Sequence, residues 1–286
     1  MGLKEVLGFI KIEHTLFSLP FVFIGAIFAG GATIPQLIWI LIAAIGARGL
    51  AMALNRIIDK DIDAANPRTA NRHLPSGIMS MNTAWSLSGL FLIMLLFGAW
   101  MLNNVALMMV WLPVLCFLIY PYMKRKTWAC HIWLGLCLGL APAGAWLGIV
   151  GGELEWRAIT QGDWWPEIFL VSIAVGIWIA GFDIGYALMD IQSDRDNNIQ
   201  SFPAKFGPEI AIRSALLMTI AWAILLALAN QGTWWLISIG LSVVMNLLAL
   251  SKNRDDMKAF QGNLFRASVS TGWLLLAGLS MDLFLS

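Results

Sequence analysis

Charge is scarce in this 286-residue sequence, because Asp, Glu, Lys and Arg together make up only 12% of the residues. A soluble domain carries about 25%. The low charge and the 59% hydrophobic content therefore exclude a disordered chain and argue against a soluble enzyme. The net charge of +1 provides no field that would attract nucleic acid, so we expect no nucleic-acid partner. The three cysteines lie in apolar runs without the spacing of a metal site or a disulfide framework, which indicates buried thiols.

Long apolar runs make up most of the chain. A helix that spans a membrane needs about 20 apolar residues. The sequence contains nine such segments, so we predict an all-α polytopic membrane protein with a single domain over residues 1–286. The predicted spans cover about 15–33, 37–59, 83–102, 105–123, 127–150, 167–190, 209–229, 233–251 and 264–285.

Basic residues are concentrated on one side of this arrangement. They precede the first span and occupy alternate loops, whereas Arg157 is expected on the opposite side. The positive-inside rule then places the N-terminus in the cytoplasm. We expect a bacterial-type cytoplasmic (inner) membrane protein whose active site lies on the cytoplasmic side.

A weak internal repeat relates the two halves of the chain. The helix end at residues 55–63, which is rich in Asn and Asp, recurs four spans later at residues 183–194. Each is followed by a polar loop with basic residues, Pro and Gly, namely NPRTANRHLPSG and NNIQSFPAKFG. This pattern predicts a bundle of two four-helix halves plus a ninth helix, with a site where the halves meet.

The polar residues of each acidic helix end share one helix face. The first set, spaced i, i+4 and i+8, consists of Asn55, Asp59 and Asp63. The second, spaced i, i+3, i+7 and i+11, consists of Asp183, Tyr186, Asp190 and Asp194. Stacked carboxylates repel each other unless a cation lies among them. Oxygen ligands without cysteine or paired histidine favour Mg²⁺, which substrate phosphates commonly help to bind.

The charges of such a site balance only with further cations. Four aspartates would neutralise two Mg²⁺ ions, and a bound diphosphate would then leave the site negative. Basic residues expected at the same end, and suited to a diphosphate, are Arg68, Arg72, Lys124, Arg125 and Lys205. The alternative is that the aspartates are ordinary solvated helix ends and that the basic loops serve only topology.

Polar residues inside the spans form a second candidate group. Arg48 and Asp183 would be costly if they faced lipid, so we expect both to face the interior, as a binding site or as a structural ion pair. His14 opens the first span. For His14 and His131, hydrogen-bonded packing is the simpler interpretation.

Three stretches resemble the UbiA superfamily of intramembrane prenyltransferases. NRIIDKDIDAANPRTANRHLPSG, which begins at Asn55, resembles its first aspartate motif, and DIGYALMDIQSDRDNNIQSFPAKFG, which begins at Asp183, resembles its second. YPYMKRKTW, which begins at Tyr120, is similar to its basic segment, and EHTLFSLPF resembles the branch that prenylates aromatic quinone precursors. Arg56 and His73 depart from the pattern, because many relatives have Asp and Pro there.

The resemblance implies Mg²⁺-dependent transfer of a polyprenyl group from a polyprenyl diphosphate to an aromatic ring acid in a membrane. The implied acceptor is 4-hydroxybenzoate in ubiquinone or menaquinone biosynthesis, with a dihydroxynaphthoate as the alternative. The implied metal ligands are Asn55, Asp59, Asp63, Asp190 and Asp194, and the implied diphosphate ligands are Arg68, Arg72, Lys124, Arg125 and Lys205. The implied catalytic residues are Asp183, Tyr186 and Asp190, and we expect the acceptor near His14, Arg48 and Asp183.

A secondary transporter with aspartate ion sites is the rival from another functional class. Transport sites favour the bilayer midplane, whereas these carboxylates are predicted at one membrane face.

Overall fold

A computed structural model of the chain describes residues 2–11, 15–229, 231–252 and 254–285, and every regular element within those ranges is helical. The α-helices are α1 (Leu3–Phe9), α2 (Thr15–Phe28), α3 (Ile34–Ile58), α4 (Lys60–Ala65), α5 (Met81–Leu102), α6 (Asn104–Met108), α7 (Trp111–Lys126), α8 (Cys130–Leu154), α9 (Arg157–Thr160), α10 (Glu167–Tyr186), α11 (Ile191–Asp196), α12 (Phe202–Phe206), α13 (Pro208–Leu228), α14 (Thr233–Ser251) and α15 (Met257–Leu285). The prediction of an all-α fold is confirmed.

Eight helical segments within the described ranges are long and apolar enough to cross a bilayer. The first predicted span corresponds to α2, whose 14 residues extend about 21 Å. That length is less than the roughly 30 Å hydrocarbon core of a bilayer. The membrane-helix architecture is therefore confirmed, while the count of nine spans and the cytoplasmic N-terminus stay predictions.

The regular α-helix is interrupted within each of the two acidic segments. In the first, Asp59 separates α3 from α4, yet its N–H donates to the carbonyl oxygen of Asn55 at 3.0 Å, and the N–H of Asp63 donates to that of Asp59 at 2.8 Å. In the second, a 3₁₀ helix (Ala187–Asp190) separates α10 from α11. A 3₁₀ helix has 3.0 residues per turn rather than 3.6. Residues 183–194 are therefore not one continuous α-helix, and the predicted shared face of the four polar residues crosses this 3₁₀ segment.

A close helix crossing joins α8 to α10. A Cβ atom added at Gly135 would lie 2.2 Å from the carbonyl oxygen of Gly176, so only glycine permits this approach. Small residues commonly provide such contacts between membrane helices. Gly135 lies one turn after His131, and Gly176 lies about two turns before Asp183. The crossing therefore brings the polar ends of α8 and α10 together.

An aromatic core fixes the position of α10. Trp178 stacks on Phe17 of α2 with ring centroids 4.7 Å apart. Trp222 on α13 and Leu275 on α15 belong to the same buried cluster. These contacts hold the helix that leads into the second acidic set.

The end of α15 caps the start of α14. The Asp282 carboxylate accepts hydrogen bonds from the backbone N–H groups of Trp234, at 3.0 Å, and Trp235, at 2.6 Å. Gly232 precedes α14 with a φ of 136°, and a Cβ there would lie 2.4 Å from the Asp282 Cγ atom. The connection therefore depends on a glycine and a carboxylate that lie about 50 residues apart in sequence.

Candidate active site

One cavity of about 620 Å³ runs through the bundle and is lined by residues of both acidic sets. Its polar lining includes Asn55, Asp63, Arg68, Arg72, Lys124, Asp183, Tyr186, Asp190 and Asp194. Asn55 and Ile40 both line it, and 15 residues of α3 separate them, which corresponds to about 22 Å along the helix. The end away from the aspartates is apolar and includes Trp146, Trp164 and Ile168. The cavity is thus polar at one end and apolar along most of its depth.

Asp59 lies behind the cavity wall and is fully buried. Its Oδ2 atom accepts a hydrogen bond from Asn55 Nδ2 at 3.0 Å and contacts Lys124 Nζ. Arg125 Nη2 lies 3.5 Å from Oδ1 and donates to the carbonyl oxygen of Ile58. Burial raises the pKa of the Asp59 carboxyl, although the positive charge of Lys124 opposes the shift.

Asp63 is neutralised by a residue of the loop that follows it. Arg72 Nη1 donates to both carboxylate oxygens, at 2.7 and 2.9 Å. Thr69 Oγ1 donates to the Asp63 carbonyl oxygen at 2.8 Å, which holds the loop against the helix end. This pair lies only nine residues apart in sequence, so the first half of the chain provides its own counter-charge.

Asp190 connects the two acidic sets. Arg68 donates to it through Nε at 2.9 Å and through Nη2 at 2.6 Å, and Asn66 Nδ2 donates at 3.0 Å. Both partners belong to the loop that follows the first set, more than 120 residues earlier in the chain. The two acidic helix ends therefore meet at one end of the bundle.

The donor atoms at this end suit a hard divalent cation. Oxygen atoms of Asn55, Asp63, Asp190 and Asp194 line one cavity, which suits Mg²⁺. Oδ1 of the buried Asp59 lies behind the cavity wall and has no hydrogen-bond partner within the described part of the chain. Asp59, Asp63 and Asp190 are each paired with arginine or lysine, and no cluster of three or more His, Cys, Asp or Glu side chains is arranged around a metal position in the described ranges. The residues thus fit the ion chemically, and the paired cations would have to turn towards an added polyanion.

Comparison with known proteins identifies the family. Residues 18–269 match the UbiA prenyltransferase family. The chain belongs to this family. A UbiA homolog from Aeropyrum pernix K1 has the same fold, with a TM-score of 0.84, 31% identity and coverage of 95% of this chain and 98% of that one.

Curated relatives of the UbiA family cover most of the chain. The 4-hydroxybenzoate octaprenyltransferase of Marinobacter nauticus is 28% identical over 89% of this chain and 84% of its own length. The enzyme of the same name from Aliivibrio fischeri is 26% identical over 79% of each chain. A UbiA homolog from Archaeoglobus fulgidus, bound to DMAPP and Mg²⁺, shares the fold at 19% identity, with a TM-score of 0.66 over 96% of this chain and 99% of that one. The chain is therefore an integral-membrane prenyltransferase.

Some predicted site residues lie away from this UbiA-type cavity. Lys205 is exposed, with Nζ 5.5 Å from the Phe206 ring centroid, and neither Lys205 nor Arg125 is part of the described cavity lining. His14 lies outside the described residues. Arg48 and Asp183 both line the cavity, as expected of polar residues that face the interior, and Asp183 forms a hydrogen bond with His131.

Two lining residues were missed from the sequence. Hydrogen-bonded packing is confirmed for the buried His131, which contacts Asp183 and the backbone of Phe202, but the sequence did not indicate that it lines the cavity. Tyr120 also lines the cavity, one helical turn before Lys124 on α7. The i, i+4 spacing from Lys124 could have indicated Tyr120. No local signal marks the partner of His131, because that contact depends on the crossing of α8 and α10.

The two departures from the UbiA family pattern are neighbours in space. The Arg56 guanidinium lies 5.6 Å from the centroid of the buried Phe9 ring, and His73 meets the same ring edge-on at 6.0 Å. Burial lowers the pKa of His73, and the charge of Arg56 acts in the same direction, whereas Glu5 opposes it. These residues attach α1 to the loop beside the cavity.

Proposed function

We propose that the chain transfers a polyprenyl group from a polyprenyl diphosphate to an aromatic ring acid, 4-hydroxybenzoate, in quinone biosynthesis. The observation that carries the proposal is a cavity in which residues of both acidic sets and basic side chains form one end and apolar side chains form the rest. Relatives named 4-hydroxybenzoate octaprenyltransferase support the choice of acceptor. A dihydroxynaphthoate is the alternative acceptor for the same chemistry.

The polar end would bind the diphosphate together with Mg²⁺. Asn55 and Asp63 would provide one set of oxygen ligands, and Asp190 and Asp194 the other. Asp59, which lies behind the cavity wall and accepts a hydrogen bond from Asn55, stays a prediction for the first set. The fold neighbour with bound DMAPP and Mg²⁺ supports this assignment. Bound there, the metal acts as a Lewis acid and stabilises the charge of the departing diphosphate.

Basic side chains would contribute the remaining positive charge. Arg68, Arg72 and Lys124 line the cavity beside the aspartates and can bind phosphate oxygens, in a bidentate manner for the arginines. Arg125 and Lys205 lie farther out and stay predictions for an outer part of the same site.

Aromatic faces lie where an allylic cation would form. Phe182 packs on Tyr186 with ring centroids 5.3 Å apart and on Phe17 at 4.9 Å, and all three rings line the cavity. Such faces stabilise a nearby cation, and the apolar surroundings keep out the water that would quench it.

The acceptor ring would bind beside Asp183. Arg48 would pair with the carboxylate of the acceptor, and Asp183 would accept the proton that the acceptor ring loses. Tyr186 lies one turn from Asp183 on the same helix and would face the reacting carbons. His14 stays a prediction for this part of the site. The polyprenyl tail would occupy the apolar depth of the cavity. We assign the polar end to the cytoplasmic face of a bacterial inner membrane, because the basic loops surround it.

Reconstituted protein tests the proposal directly. The protein is supplied with octaprenyl diphosphate, Mg²⁺ and a mixture of 4-hydroxybenzoate and 1,4-dihydroxy-2-naphthoate. The products are identified by mass spectrometry. We expect prenylated 4-hydroxybenzoate, and a fall in turnover of about 100-fold or more for Asp63→Asn and Asp190→Asn. Asp196→Asn is the matched control, since Asp196 is exposed on α11 and outside the described cavity lining.

Two results would contradict the proposal. Unchanged turnover in both aspartate variants would remove the metal and diphosphate roles. A product formed only with an acceptor that is not an aromatic acid would remove the assigned reaction.

A further inference from the structure

His131 occupies a position between two groups that fix its protonation. It is 4% exposed, and its Nδ1 atom lies 2.7 Å from Oδ2 of Asp183. On the other side of the ring, Nε2 lies 3.1 Å from the backbone nitrogen of Phe202. Both His131 and Asp183 line the cavity. One imidazole therefore joins α8, α10 and the start of α12.

The geometry determines which nitrogen carries the proton. A backbone N–H can only donate, so Nε2 of His131 must accept through its lone pair. A neutral ring with an unprotonated Nε2 carries its proton on Nδ1 and donates it to Asp183. A doubly protonated ring would direct its Nε2–H at the N–H of Phe202. The neutral Nδ1–H tautomer, which donates to the Asp183 carboxylate, satisfies both contacts.

We propose that His131 is a positioning residue that holds the Asp183 carboxylate, through the neutral Nδ1–H tautomer, in the orientation needed to receive the acceptor's proton. The inference rests on the proposed function. In the step concerned, the allylic carbon–oxygen bond breaks with its electron pair leaving on the diphosphate, and a carbon–carbon bond forms to the ring. The ring proton then passes to the Asp183 carboxylate. His131 neither gains nor loses a proton.

The surrounding structure supports a positioning role. The backbone N–H of Gln200 donates to the carbonyl oxygen of Lys124 at 2.7 Å, so the segment before Phe202 is held against the end of α7. His131 is thereby fixed from the side opposite Asp183. A carboxylate with one oxygen bound to a fixed donor keeps a defined orientation towards the cavity, and displacement by about 1 Å can cost roughly 100-fold in rate.

Substitutions separate this role from proton transfer by the imidazole. Glutamine at position 131 is neutral, can donate through Nε2 and can accept through Oε1, so His131→Gln should keep kcat within about fivefold of the parent. His131→Leu cannot make either bond and should lower kcat by about 100-fold, with the KM for the prenyl diphosphate changed much less. In an Asp183→Asn background, His131→Leu should add little further loss.

Kinetic outcomes can overturn the inference. Full activity of His131→Leu would show that Asp183 needs no support. A folded His131→Gln variant as impaired as His131→Leu would instead make the imidazole a proton carrier. Folding of each variant is checked by thermal unfolding in detergent.

A spectroscopic measurement tests the tautomer without enzyme activity. The sequence has three histidines, so the ¹⁵N resonances of His131 in labelled protein are identified by their loss in His131→Gln. We expect one protonated Nδ1 and one unprotonated Nε2, and two protonated nitrogens would overturn the assignment. This measurement needs no substrate. If the proposed function is wrong, no prenylated product forms, yet the Nδ1–H tautomer can still be observed.

Discussion

The pairing of Arg68 with Asp190 predicts opposite effects on the two ligands of the site. Arg68 binds Asp190 through two nitrogens, with side-chain exposures of 32% for Arg68 and 14% for Asp190. If Asp190 is a metal ligand, a cation must displace this guanidinium before it can bind. Arg68→Gln should therefore strengthen Mg²⁺ binding in the absence of diphosphate and weaken binding of the prenyl diphosphate.

The size of the effect follows from the geometry. A hydrogen bond to a charged group contributes roughly 1.5–3 kcal/mol, and solvent reduces the value of a partly exposed pair to about 1 kcal/mol. Since 1.4 kcal/mol corresponds to a factor of ten, Mg²⁺ should bind about fivefold more tightly to Arg68→Gln. Loss of a bidentate phosphate ligand should raise the KM for the prenyl diphosphate by a similar or larger factor.

The three buried free cysteines provide the assay. Cys116, Cys130 and Cys137 are buried, so a fluorogenic maleimide should react with them faster once the protein opens, and the dye then reports thermal unfolding. The Mg²⁺ concentration that gives half of the maximal increase in Tm is measured without diphosphate. Steady-state kinetics give the KM for the prenyl diphosphate.

Arg195→Gln is the matched control, because Arg195 is exposed and donates to the carbonyl oxygen of Ala204 away from the described cavity lining. An unchanged or higher Mg²⁺ requirement in Arg68→Gln would refute the assignment of Asp190 as a ligand that Arg68 blocks.

Two further predictions concern stability. Because the folded-state pKa of His73 is lowered by burial and by Arg56, neutral His73 stabilises the fold above its unfolded pKa of about 6.5, and this contribution is lost as the pH falls through the lower folded value. The dye-detected Tm of the parent should therefore fall more between pH 7.5 and pH 5 than that of His73→Gln. Gly232→Ala should lower the free energy of unfolding by about 1–3 kcal/mol, and with it the Tm, because φ is 136° and the new Cβ would meet Asp282.

Each of these predictions has a control and a contrary outcome. Parallel pH curves for the parent and His73→Gln would show that His73 does not couple protonation to the attachment of α1. For Gly232→Ala, the control is Gly240→Ala within α14, the helix that Gly232 precedes, where an added Cβ meets nothing within 4 Å. Equal melting temperatures of the two alanine variants would contradict the close packing at Asp282.

The sequence was informative where the signal is local. Low charge and long apolar runs predict membrane helices because unpaired backbone groups cannot lie in lipid. The spacing of Asn55, Asp59 and Asp63 predicts one face, and the backbone hydrogen bonds continue across the break at Asp59, but only Asn55 and Asp63 line the cavity. The short α2 was not anticipated, because hydropathy at residues 29–33 does not reveal the turn at Gly30 and Gly31, whose φ values are 87° and 100°.

Pairings between distant residues could not be read from the sequence. The five predicted basic residues were equivalent in pattern, yet Arg72 pairs with Asp63, Arg68 pairs with Asp190 and Lys205 lies apart. The partner of Asp183 is 52 residues away and depends on the Gly135 crossing. Tertiary packing determines which of several similar basic side chains pairs with a given aspartate, and this packing could not be inferred from the single sequence.

The counter-charges of the cavity become available in a definite order during synthesis. The partner of Asp63, Arg72, is synthesised nine residues after it, and the partner of Asp59, Lys124, is synthesised next. The partner of Arg68, Asp190, is synthesised 122 residues after Arg68. A nascent chain that ends shortly after α7 can already neutralise the acidic end of its first half. The bidentate contact between Arg68 and Asp190 is therefore the last of the three electrostatic contacts to form, and its presence indicates that both halves have assembled.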